Sequence, residues 1–313
     1  MITRPAMLVG LCVSAMLLAN VSDAQVMQRR GASPPATVAS VTPAGAMLAY
    51  DRLPGCAKRI SIASLTRIYV IGCSDATDVK TFLWKFDAWQ PLPADAHAIA
   101  AVESLPFKED KSAGRVSGLL TVRGDGTASF ADFVGNGFAG GGTYTKLQEA
   151  ASGGGWIWAI NEASGNHLGG TIRRSDGAPA ANCDRGGLFV GDVGMCTDYE
   201  WHAFGDLYAK RITAGLSDAV AWAIGEDGRI YRQVNTGVGW IEQPGCATAI
   251  ANAGNDNVWI VGCDAADGAG NRNLYRWNGS AWIKQLGAGV EVALQPDGKP
   301  WIVQADGGIW RLR

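Results

Sequence analysis

Pro244-Gly245-Cys246-Ala247, then Val258-Trp259-Ile260-Val261-Gly262-Cys263, then Leu274-Tyr275-Arg276 and Trp282 follow one another near the C-terminus of a 313-residue chain. The same series stands earlier as Pro54-Gly55-Cys56-Ala57, Ile68-Tyr69-Val70-Ile71-Gly72-Cys73, Leu83-Trp84-Lys85 and Trp89, and one offset carries both cysteines of one copy onto those of the other. Self-similarity of this kind marks a repeat architecture, in which each unit stacks on its neighbours because it cannot bury its own apolar face. The unit reduces to four strands: an aromatic-led strand, a small-residue strand, a strand of the form Trp-Ile-Val and, after a Gly turn, a strand of the form Ile-Tyr-Arg.

Further copies extend outward from these two. Trp222-Ala223-Ile224 leads into Asp227-Gly228 and Ile230-Tyr231-Arg232, and Trp301-Ile302-Val303 leads into Asp306-Gly307 and Ile309-Trp310-Arg311. Trp156-Ile157-Trp158-Ala159-Ile160 with Thr171-Ile172-Arg173 is looser, and Leu119-Leu120-Thr121-Val122 with Asp125-Gly126 is the most degraded. Leading aromatics Tyr50, Trp89, Tyr144, Trp201, Trp240 and Trp282 count six units, with insertions at 108–117 and 175–198. The expected fold is all-β: a six-bladed β-propeller of four-stranded antiparallel blades over residues 48–313. Small residues such as Ala98 to Ala101 suit a crowded innermost strand. The aromatic-led strand then lies at the outer edge of the preceding blade, the last repeat stops one strand short, and Leu48 to Arg52 fills the gap. Such closure leaves only short, protected strand edges.

Ahead of the repeats, Met1–Ala24 reads as a secretory signal peptide: Arg4, an apolar run from Ala6 to Ala19, and small residues at Ser22 and Ala24. Residues 25–47 are rich in Ala, Ser and Pro without periodicity, which predicts a flexible spacer. The formal net charge of −2 argues against nucleic acid as a partner, and no apolar run is long enough for membrane insertion. Six cysteines remain after processing of an exported, secreted chain, so disulfides are expected. Equal reach on either side of a hairpin turn pairs Cys56 with Cys73 and Cys246 with Cys263; elimination leaves Cys183 with Cys196. C-x-x-C spacing and a His cluster are both missing, so neither a metal nor another cofactor is expected.

The repeat resembles the tectonin type of β-propeller, the tachylectin-like and fish-egg lectin family. Val258-Trp259-Ile260-Val261, Leu274-Tyr275-Arg276-Trp277, Trp222-Ala223-Ile224 and Ile230-Tyr231-Arg232 carry the resemblance. It implies binding of surface glycans. A pyranose stacks its C–H face on an aromatic ring while its hydroxyls seek polar side chains, and the pairs Trp84-Lys85, Tyr231-Arg232, Tyr275-Arg276 and Trp310-Arg311 could supply a ring of weak sites acting by avidity. Packing between blades is the structural role open to the same aromatics. Catalysis is not expected: His97, His167 and His202 lie far apart, and neither G-x-S-x-G nor H-E-x-x-H occurs. The competing class is a non-catalytic scaffold that binds another protein through the insertions.

Overall fold

The computed structural model describes residues 49–106, 115–134, 137–139, 146–163, 165–175, 201–218, 220–234 and 239–313. The expected signal peptide, the spacer, Tyr144, Cys183–Cys196 and most of both insertions lie outside them. Among the described residues every helix-length or strand-length element is a β-strand, and all pairing is antiparallel.

In chain order, β1 (Tyr50–Leu53) precedes a four-stranded sheet of β2 (Ala57–Ser64), β3 (Arg67–Gly72), β4 (Val79–Lys85) and β5 (Ala88–Ala96). A second sheet holds β6 (Ala98–Pro106), β7 (Arg115–Val122), β8 (Ala128–Val134) and β9 (Gly137–Ala139). Next comes a ten-stranded ladder: β10 (Leu147–Gly153), β11 (Trp156–Asn161), β12 (Gly170–Ser175), β13 (Trp201–Ala214), β14 (Ala221–Gly225), β15 (Arg229–Gln233), β16 (Trp240–Asn252), β17 (Val258–Ala265), β18 (Arg272–Trp277) and β19 (Trp282–Gly289). The last sheet is β20 (Glu291–Leu294), β21 (Pro300–Val303) and β22 (Ile309–Leu312), with β1 as its fourth strand. That pairing runs from Tyr50 opposite Leu312 to Leu53 opposite Ile309.

Two long strands explain the ladder. The first part of β13 pairs with β12 and its second part with β14; β16 does the same between β15 and β17. Each is the outer strand of one four-stranded unit running on into the inner strand of the next, so the ladder comprises three such units. The inner strands touch in the order β2, β6, β10, β13, β16, β20 and back to β2.

Between sheets the core is aromatic. Trp158, Trp222 and Trp301 are fully buried on second strands, Trp259 nearly so. Trp222 stands edge-on to Trp277 and Trp282, with centroids 5.7 and 5.9 Å away, the offset that ring quadrupoles favour. Removing one such indole costs about 3–5 kcal/mol. Outer strands are tied circumferentially by the leading aromatics: Trp89 Nε1 donates to Pro54 O at 2.7 Å, Trp282 Nε1 to Pro244 O at 2.7 Å, Trp240 Nε1 to Phe204 O at 2.9 Å, and Tyr50 OH to Leu286 O at 3.0 Å. Tyr50 thus performs at the chain ends what tryptophan performs elsewhere.

A second tie recurs at the Asp-Gly turns. Ala57 N donates to Gly307 O, Ala247 N to Gly228 O and Leu147 N to Gly126 O, each joining an inner strand to a turn of another four-stranded unit. Cys56–Cys73 and Cys246–Cys263 are disulfides, both with Cα atoms 5.5 Å apart. Gly307 and Gly228 lie against them with φ of +81° and +87°, so a side chain there meets both a strained backbone and sulfur.

Candidate functional site

At one level of the inner strands, charged side chains from four of them meet. Arg59 on β2, Glu149 on β10, Arg211 on β13 and Glu291 on β20 each pair with the residue two beyond the position occupied by Tyr69, Trp158, Trp222 or Trp301 on the second strand. This common register brings four side chains from four inner strands to one height. They close an alternating cycle: Arg59 contacts Glu149 and Glu291 (3.2 Å), and Arg211 contacts Glu291 and Glu149 (3.0 Å). Side-chain exposures of 21%, 8%, 18% and 12% put the cycle largely out of water, where an unpaired charge would cost several kcal/mol. Every carboxylate here has two guanidinium neighbours and every guanidinium two carboxylates, so the formal charge sums to zero.

Beside the cycle lies a narrow cavity of about 90 Å³, lined by all four charged residues with Ser61, Ser152, Thr213 and Asn252. Ser152 and Leu216 also line a wider cavity of about 780 Å³, so the two adjoin. The wider one is a funnel at the hairpins that join first to second strands. Its wall carries Ser64, Glu103, Gly153-Gly154-Gly155, Ser217, Asn255, Asn257 and Pro296. Each of the four sheets contributes. Glu103, the one carboxylate among the described wall residues, receives Arg67 Nη1 at 2.9 Å and Ser117 Oγ at 3.3 Å. Among the described residues the wall is therefore rich in hydroxyls, amides and peptide groups, carries little net charge, and has no aromatic ring.

Sequence reasoning missed both features, although a signal was present. Lys58-Arg59-Ile60-Ser61 recurs as Lys210-Arg211-Ile212-Thr213, and Glu149-Ala150-Ala151 as Glu291-Val292-Ala293, so a charge recurs at one fixed place in four inner strands.

The eight residues singled out from the sequence lie on third strands of four separate units: β4, β15, β18 and β22. Trp84 is buried, 4.8 Å from Trp89 and 6.2 Å from Trp301 between centroids. Register explains this: Leu83 faces Tyr69 as Arg276 faces Trp259, so Trp84 is the counterpart of Trp277, and both face the leading tryptophan of β5 or β19. Lys85 is exposed, its Nζ 5.2 Å from the Phe86 ring. Arg232 and Arg311 each lie 5.7 Å over the indole directly opposite, Trp222 and Trp301, a cation–π contact. Arg232 also pairs with Asp256 at 2.9 Å. Tyr231 is half-buried, and desolvation with the charge of Asp227 raises its phenol. Tyr275 OH donates to Asp264 at 2.9 Å; burial first, then this bond, pushes its pKa up to about 12. Arg276 is exposed opposite Trp259, while Trp310 is half-buried under Arg52 at 5.7 Å.

The remaining polar groups mostly hold turns. Asp125, Asp227, Asp297 and Asp306 each accept an amide two residues on. In the 264–273 loop Asp267 is occupied by Ala269 N and Asn271, whose side chain holds the carboxyl below its ordinary range. His167 stacks on Tyr208 with centroids 3.5 Å apart and bonds Glu226 at 3.2 Å. Glu226 also accepts Leu168 N and Gly169 N, and the His167 bond is the main cause of its lowered pKa.

No known family profile matches the chain, and no curated protein matches its sequence. Among solved structures it is similar to a streptogramin B lyase (14% identity over 84% of this chain and 97% of that one, TM-score 0.47). It is also similar to a chain of a mitotic checkpoint complex (10%, 96% and 99%, 0.48) and to the WD40 beta propeller domain of Doa1 (10%, 83% and 94%, 0.43).

Proposed function

We propose that the chain is an exported, non-catalytic six-bladed β-propeller that binds neutral glycans in the funnel at the hairpin end of its central channel. The cyclic order of inner-strand contacts and the β1–β22 pairing support six blades shut into a ring by the N-terminal strand. Two disulfides support an oxidising compartment. The observation that carries the binding reading is the funnel wall: hydroxyls of Ser64, Ser152 and Ser217, amides of Asn255 and Asn257, the Gly153-Gly154-Gly155 backbone, and a carboxylate already neutralised by Arg67. Such a wall offers many hydrogen bonds and little net charge, which suits a polyhydroxylated ligand and disfavours polyanions. The strand-end aromatics are the poorer candidate, because Trp84, Arg232, Tyr275 and Arg311 spend their contacts inside the protein.

A protein-binding scaffold is the second reading, favoured by Ile241, Ile283 and Leu286, which are 53%, 47% and 51% exposed on the outer strands β16 and β19. A glycan array probed with the mature protein, with Ser217→Trp and with Arg276→Ala separates these readings. Funnel binding requires loss of signal in Ser217→Trp alone. Retention there with loss in Arg276→Ala returns the site to the strand ends, and silence of the wild type towards every glycan leaves the scaffold.

A further inference from the structure

The Arg–Glu cycle does more than fill the channel. A buried ion-pair network is seldom needed for stability, since apolar residues of similar volume serve as well or better. This fold bears that out at the same register: on β16 the position facing Val261 is Ala249, uncharged, where β2 and β20 place Arg59 and Glu291 facing Ile71 and Val303. Four charges nonetheless occupy this level, in strict alternation, and they line the narrow cavity that adjoins the funnel through Ser152 and Leu216.

We infer that the Arg59–Glu149–Arg211–Glu291 cycle is the specificity-determining floor of the funnel, its cancelled charge excluding acidic and basic glycans in favour of neutral ones. The inference rests on the funnel being the glycan site. A cancelled set of charges presents hydrogen-bonding edges to a ligand without a field that favours either sign, whereas removal of one member leaves a whole charge in a poorly screened recess. The cycle also limits the damage of such a removal. With Glu149 neutralised, Arg59 and Arg211 both keep Glu291, so no guanidinium is left unpaired.

Glu149→Gln and Arg59→Gln change the floor by one charge in opposite senses. Each is compared with the wild type on an array carrying neutral glycans, their uronic-acid counterparts and their de-N-acetylated amino-sugar counterparts. Glu149→Gln is expected to raise the ratio of acidic to neutral signal several-fold, the effect of one unbalanced charge in a poorly screened recess. Arg59→Gln raises the ratio of basic to neutral signal by a similar factor. Glu291→Gln must behave as Glu149→Gln, which covers the case in which one variant fails to fold. Loss of packing alone moves both ratios together and overturns the inference, as do unchanged ratios over retained neutral binding. If the wild type binds no glycan, the funnel reading falls first and the inference with it.

Discussion

Replacing Gly307 with alanine reads out the junction between the last sheet and the first. Gly307 follows β21, yet its neighbours are the sulfurs of Cys56 and Cys73: an added Cβ falls inside the van der Waals shells of both, at φ of +81°. Gly228 is the internal control. It has φ of +87° and the same kind of disulfide beside it, but its Cβ would stand 3.1 Å from Cys246 Sγ and 3.8 Å from Cys263 Sγ, where a small adjustment suffices. The left-handed backbone costs about 1–2 kcal/mol for alanine at either site. Overpacking adds about 1–3 kcal/mol at Gly307 only. Gly307→Ala should therefore lose about 2–5 kcal/mol and Gly228→Ala about 1–2 kcal/mol. Urea unfolding of the oxidised mature protein measures both. Repeating Gly307→Ala in a Cys56→Ala/Cys73→Ala background removes the sulfurs and should leave only the backbone part, about 1–2 kcal/mol. Equal losses for the two glycines in both backgrounds would refute the close approach, and with it the placement of the first sheet beside the last.

Three other outcomes follow from particular groups. Burial pushes the Tyr50 phenol from 10.0 up to about 12, so the stability it lends is intact below pH 10 and is lost as pH rises towards 12. The loss is about 2–3 kcal/mol, and Tyr50→Phe should flatten that alkaline limb while forfeiting about 1 kcal/mol for the bond to Leu286 O. Glu226 lies below its ordinary 4.5, chiefly through His167, so its contribution is present above that pH and fades as acid protonates it. The protection factors of the Leu168 and Gly169 amides, taken against the intrinsic exchange rate at each pH, should then fall on acidification, and Glu226→Ala should show the low protection at neutral pH. Trp222→Ala should cost about 3–5 kcal/mol, measured by denaturant unfolding, against well under 1 kcal/mol for exposed Arg276→Ala.

Much of the architecture was legible because it repeats. The offset shared by Cys56, Cys73, Cys246 and Cys263 anticipates both observed disulfides, and the positions of Tyr50 and Arg313 anticipate the pairing of β1 with β22. The Asp-Gly turns are as their local chemistry requires. Register was less legible. Leu83-Trp84-Lys85 looks like Leu274-Tyr275-Arg276, but pairing aligns Trp84 with Trp277, and a one-residue slip in a strand turns a surface aromatic into a core one. The candidate site was barely legible, because the residues of the cycle lie up to 232 positions apart and each looks like an ordinary isolated charge in its own strand.

What the chain dictates locally is the unit: alternation, turn residues and aromatic anchors are short-range properties, and their recurrence dictates that the units stack. The tertiary structure alone decides which charges meet, that their sum cancels, and that the described hairpin ends leave a polar recess adjoining them. Those are properties of inner strands brought side by side rather than of any one strand. A charge is cancelled only by what stands across from it, and no single repeat contains its opposite.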